Sequence, residues 1–165
     1  MNSIDFIKVG LEGGKQMLLT LANDMRDAPT AFPTPRGGNH ALWVLGHIAH
    51  SEAYVVSVMI QGDTDPLPDW KSLFGGGTEP VAEADKYPAY DRVLAEFEKV
   101  RASTLKFISS LSESDLEKKT NTPPEYASIF GTIGLCLAML INHQSFHTGQ
   151  IADARRALGR KPVFG

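Results

Sequence analysis

Apolar residues recur at three- and four-residue intervals through four long segments, and no stretch alternates long enough to read as a strand. That period paints one stripe along a helix, so the chain must pack helices against each other to bury its stripes. The first segment runs from about Ser3 to Met25, with Ile4, Ile7, Leu11, Leu18, Leu21 and Met25 in register. Gly13 and Gly14 interrupt it at a cost of about 1 kcal/mol each, which predicts a weak or closely packed middle. The stretch from Ala28 to Gly38 holds three prolines and two glycines and reads as a connection. A second helix starts near Asn39, a good N-cap type, and continues to about Ile60. It is apolar on nearly every face, so it requires burial on more than one side.

A long insert follows from Gly62 to Pro88, with Trp70, Leu73 and Phe74 as its anchors. Its Gly75-Gly76-Gly77 run lacks the spacing and Lys-Ser/Thr ending of a phosphate loop and reads as a turn. The third helix begins around Pro88 and ends near Ser110, striped by Val93, Phe97, Val100, Thr104, Phe107 and Leu111. Ser114 and Glu117 suggest a capping box for a short turn, and Thr122-Pro123-Pro124 breaks the chain again. The fourth helix spans about Ser128 to Leu158, closed by Gly159 with Pro162 beyond. Ile133, Leu137, Leu140, Ile151, Ala154 and Leu158 line its inner face. Four such helices, with two loops too long for simple hairpins, predict an all-α four-helix bundle with long connections, a single unit over residues 1–165.

Composition narrows the function classes. Sixteen Lys and Arg against nineteen Asp and Glu leave a formal charge of -3, which argues against a nucleic-acid partner. No apolar run reaches about 18 residues and the N-terminus lacks an export pattern, so no membrane association and a cytoplasmic residence are expected. The single cysteine, Cys136, excludes a disulfide framework and a cysteine-rich zinc site. Among Ile133, Leu135 and Leu137 it reads as a small core hydrophobe. Apolar helix faces beyond the needs of one bundle point to a homodimer.

The five histidines fall in two clusters. His143 and His147, four apart, lie about 40° from each other around a helix and about 6 Å along it, on one face. They share the rhythm of Leu140 and Ile151, which turns both imidazoles towards the core. Buried ring nitrogens need partners, so the pair reads either as hydrogen-bonded core histidines or as two corners of a metal site. His47 offers a third imidazole, in an apolar run between His40 and His50. Three imidazoles from two packed helices would leave a metal ion with open positions, the pattern of a catalytic site. Gly46 beside it would let another backbone approach closely.

The run Asn39-His40-Ala41-Leu42-Trp43-Val44-Leu45-Gly46-His47-Ile48-Ala49 resembles the second-helix signature of the DinB/YfiT-like superfamily. The run His143-Gln144-Ser145-Phe146-His147-Thr148-Gly149-Gln150-Ile151 resembles its fourth-helix signature, H-x-x-x-H-x-G-Q-I. The resemblance implies a four-helix bundle in which His47, His143 and His147 hold a divalent metal ion, nickel or zinc. It does not require His50, which is left to ligate, to orient the site or to face solvent. His40 reads as a surface or capping residue. Gln150 is left to bond across helices, to bond back to a ligand nitrogen, or to pack. Trp43 reads as packing between helices, and Arg155, Arg156, Arg160 and Lys161 as complementing a helix C-terminus.

A divalent ion on three histidines can polarise an oxygen, or bind a thiolate or water and lower its pKa. Relatives implied by the resemblance include thiol-dependent S-transferases and a maleylpyruvate isomerase. The leading expectation is therefore a metal-dependent thiol S-transferase, with a small-molecule thiol or electrophile as partner. The alternatives are a metal-dependent hydrolase and a stress-related protein that binds metal or ligand without turnover. Glu52, the nearest carboxylate, points about 140° away from His47, so no acid or base is assigned.

Overall fold

The computed structural model describes residues 1–163, so the last two residues of the expected unit lie outside the described residues. Four long helices dominate: α1 over Ser3–Asp24, α2 over Ala41–Tyr54, α3 over Tyr90–Ser109 and α4 over Ile133–Ala157. Among the described residues there is no strand, only two isolated bridges, Thr34 with Gly37 and Lys119 with Thr132. The all-α bundle is as expected. α1 packs mainly on α4, α2 packs mainly on α3, and α2 also lies along α4. No described helix is long and apolar enough to cross a membrane.

α1 starts where the Asn2 side chain accepts the Asp5 N–H at 2.8 Å. The Glu113 carboxylate accepts the Ser3 N–H at 2.8 Å and ties the loop after α3 to the same helix end. Two of the glycines of α1, Gly10 and Gly14, mark close packing rather than weakness. A Cβ at Gly14 would overlap the Gln144 amide, and one at Gly10 would press on Ile141 at 2.9 Å, so these two positions let α1 settle onto α4.

The N-cap of α2 is His40, not Asn39. His40 Nδ1 accepts the Trp43 N–H at 3.1 Å, while its Nε2–H donates to the Val81 carbonyl at 3.0 Å. Asn39 is engaged elsewhere, its amide donating to Gln150 at 2.9 Å. His40 is thus a capping residue but a fully buried one, and burial lowers its pKa to about 4. Beyond Tyr54 the helix continues as a wider π-helical stretch, Val55–Gln61, and stops at Gly62, whose φ of 77° is the left-handed closing conformation.

The insert is ordered by its anchors. Trp70 and Phe74 are buried, Leu73 packs half-buried beside them, and short turns form at Pro68–Trp70, Lys71–Phe74 and Ala84–Lys86. Two boundaries differ from expectation. The capping box uses Ser112 and Asp115 rather than Ser114 and Glu117, with the Ser112 N–H donating to Asp115 at 2.7 Å. The fourth helix does not start at Ser128: Ala127–Phe130 is a separate turn, and Thr132 is extended before α4 begins. The Ile133 N–H donates to Lys118 O at 3.0 Å, so pairing with the preceding loop pulls the chain out of helical register there.

Two apolar clusters fill the bundle. One gathers Leu18, Leu42, Leu45, Phe74, Phe97 and Ile151; the other gathers Ile7, Leu11, Val56, Ile108, Leu137 and Leu140. Each fully buried side chain of this size contributes about 1.5–3 kcal/mol. On α4, His143, Gln144 and His147 fall between Leu140 of one cluster and Ile151 of the other.

Candidate metal centre

α2 and α4 bring three histidines to one point. His47 Nε2 lies 3.0 Å from His143 Nε2, and His147 Nε2 lies 3.1 Å from the same atom. His47 and His147 are buried and His143 half-buried. Among the described residues these three form the candidate metal-holding group of histidine, cysteine and carboxylate side chains.

The outer nitrogens of two of these rings are committed. His47 Nδ1 meets the Phe74 carbonyl at 2.6 Å, and a carbonyl only accepts, so Nδ1 carries the hydrogen. His147 Nδ1 donates likewise to Gln150 Oε1 at 2.7 Å, the oxygen that also accepts from Asn39. Gln150 therefore bonds both to a triad nitrogen and to Asn39, just ahead of α2. Trp43 stacks on His47 with ring centroids 4.4 Å apart and an interplanar angle of 10°, so it backs the site as well as packing between helices. Its Nε1–H donates to Thr78, which in turn donates to the Gly75 carbonyl and pins the glycine turn.

These bonds fix the tautomers and leave an imbalance. In the neutral rings, the Nε2 atoms of both His47 and His147 are bare acceptors, yet both face the single Nε2 of His143. A hydrogen on His143 serves one of them, and the other lone pair stays unanswered. A cation at the centre answers all three. Ligand nitrogens at about 2.0–2.1 Å from an ion sit roughly 3.0–3.4 Å apart, and the observed spacings fall in that range.

Burial holds the rings in the neutral, metal-binding form. It pushes His47 down to about 4, with His147 and His50 adding repulsion against the Phe74 carbonyl's opposing effect. It pushes His143 down to about 3, again reinforced by its two neighbours. His147 is lowered by burial too, partly offset by Gln150. At neutral pH no proton competes for the lone pairs.

A cavity of about 550 Å³ opens beside the triad. His47, His143, His50, Lys71 and Tyr54 border it together with the apolar Val55, Met59, Phe130 and Met139. That volume suits a small molecule. His50 does not face solvent: it is buried on this cavity, one turn beyond His47.

Other residues resolve differently from expectation, or were not foreseen. Gly46 admits a side chain rather than a backbone, since a Cβ there would overlap the Phe74 ring. Cys136 is a buried core thiol with its pKa raised by burial to about 11. Arg155 and Arg160 pair with Asp24 at the end of α1, and Arg160 also with Asp27. Glu52 does point away from the triad, into a buried network that pattern reading did not foresee. Arg101 donates to both Glu52 oxygens, at 2.9 and 2.6 Å, to the Leu11 carbonyl at 2.5 Å and to Gln144 Oε1 at 2.6 Å. The available signal was register: Arg101 sits four after Phe97 and three before Thr104, on the buried stripe.

The architecture and site define an all-α helical bundle with a buried three-histidine centre that could hold a metal ion. The family profile of the DinB superfamily matches residues 11–151, and the chain belongs to that superfamily. No curated protein matches the chain significantly.

Proposed function

We propose that His47, His143 and His147 hold one divalent cation, nickel or zinc, and that the protein is a thiol-dependent S-transferase. The observation that carries this reading is the convergence of three neutral Nε2 atoms with too few hydrogens to satisfy one another, on the border of a ligand-sized cavity. When bound, a divalent cation on three uncharged ligands keeps its full charge and lowers the pKa of a thiol brought to its open side.

The chain's own residues do the rest. Phe74 and Gln150 hold the rings of His47 and His147 in one tautomer and one orientation. Trp43 and the insert close one side against water. Val55, Met59, Phe130 and Met139 give the electrophile an apolar wall. No carboxylate belongs to the triad. Thiol transfer tolerates that better than hydrolysis does, because a thiolate needs less assistance than water.

Metal analysis of purified protein should find about one divalent ion per chain, and His143→Ala should remove most of it. Turnover is then assayed with glutathione, bacillithiol and mycothiol against monobromobimane. A fold that stays intact and metal-free under replete conditions overturns the metal reading. A metal-loaded protein no faster than the triple-histidine variant with any thiol overturns the transferase reading and leaves a binding protein.

A further inference from the structure

His50 is 6% exposed, and its Nε2 has no hydrogen-bond partner among the described residues. A polar side chain so buried and so placed is costly unless it serves something. Asp65 Oδ2 lies 3.4 Å from that nitrogen. Asp65 is itself held in place, because its Oδ1 accepts the Leu67 N–H at 2.9 Å. The carboxylate is 17% exposed and belongs to the insert, whereas His50 belongs to α2. The insert thus supplies the orienting partner that α2 lacks.

A carboxylate beside Nε2 favours the tautomer with its hydrogen on Nε2, which leaves Nδ1 as a bare acceptor. No described residue donates to or accepts from Nδ1, and the ring borders the same cavity as His47 and His143. The other ionisable side chains on that cavity are Lys71 and Tyr54, and no Asp or Glu lines it. His50 therefore offers the pocket an imidazole nitrogen, beside the three-histidine centre without belonging to it.

We propose that His50, oriented by Asp65, accepts the proton of a thiol held in this cavity, an assignment that rests on the reading of the centre given above. The S–H bond breaks heterolytically. Its proton goes to His50 Nδ1, its electron pair stays on sulfur, and the imidazolium formed is balanced by the Asp65 carboxylate. The thiolate is then free to attack an electrophile in the apolar part of the cavity.

The test counts protons rather than turnover. Zinc-loaded protein is titrated with 2-mercaptoethanol at pH 8 by calorimetry, in buffers of different ionisation enthalpy, so that the protons released per thiol bound can be read. Wild-type protein should retain most of the thiol proton. His50→Gln and Asp65→Asn should release close to one proton per thiol and bind it about tenfold more weakly, with zinc content unchanged. Asp65→Asn carries the test if the buried His50→Gln fails to fold. Equal proton counts in wild type and variants overturn the role of His50 and leave the metal centre standing. Zinc binding without thiol binding overturns both this assignment and the transferase reading, and absence of zinc from the wild type overturns the metal centre itself.

Discussion

Gly46→Ala tests how the insert supports the candidate metal centre. A Cβ at position 46 would overlap Cε1 and Cδ1 of Phe74 and stand 2.6 Å from Cζ, closer than a Cβ contact tolerates. The Phe74 ring cannot swing aside, since it is fully buried between Trp70 and Tyr87, with centroids 5.0 and 5.5 Å away. The Lys71–Phe74 turn must therefore withdraw, and the Phe74 carbonyl goes with it. Overpacking of this kind costs about 1–3 kcal/mol. Losing the 2.6 Å bond that orients His47 weakens metal binding by about 10–100-fold. Urea unfolding reads the first effect, and competition for zinc with a chromophoric chelator reads the second. Phe74→Leu placed in the Gly46→Ala background should recover much of both by making room. A Gly46→Ala protein with wild-type stability and zinc affinity would refute the claim that Phe74 holds His47 in place.

Two further outcomes follow from buried polar groups. Arg101→Met should destabilise by about 3–5 kcal/mol, because it strands the Glu52 carboxylate in the core; adding Glu52→Leu should return most of that loss in a double-mutant cycle by denaturant unfolding. His40 has a native pKa of about 4 against an unfolded value near 6.5, so the unfolded chain binds the extra proton between those limits. Its contribution is complete above about pH 6.5 and is lost on acidification, by about 3 kcal/mol once pH reaches 4. His40→Gln should shrink the pH slope of stability between pH 6.5 and 4 by roughly one proton, measured on metal-free protein.

The helices and the His143–His147 pair were legible because both rest on local spacing, and His47 joined them through the resemblance to the family's second-helix signature. A three-four stripe names the buried face of a helix whatever packs on it, and His143 and His147 share a face through helical pitch alone. Residues whose role depends on a distant partner were legible only in part. Arg101 occupies a core register, but its partner Glu52 stands 49 positions away in the chain, where no local pattern links the two. Gly13 and Gly14 looked alike in the chain, yet a Cβ at Gly13 would meet open space while one at Gly14 would strike Gln144.

Pattern and pitch thus place the four helices, their main breaks and the His143–His147 pair, while the family resemblance singles out His47 as their partner. They could not choose the N-cap of α2, because Asn39 and His40 both offer a side-chain acceptor and only the pull of Gln150 on Asn39 separates them. Nor could they say what holds His47 or what faces His50, since Phe74 and Asp65 reach those rings through an irregular insert with no period to read. Contacts within a helix follow from its fixed geometry. Contacts from a loop follow from where its anchors, Trp70 and Phe74, come to rest in a core built by the rest of the chain.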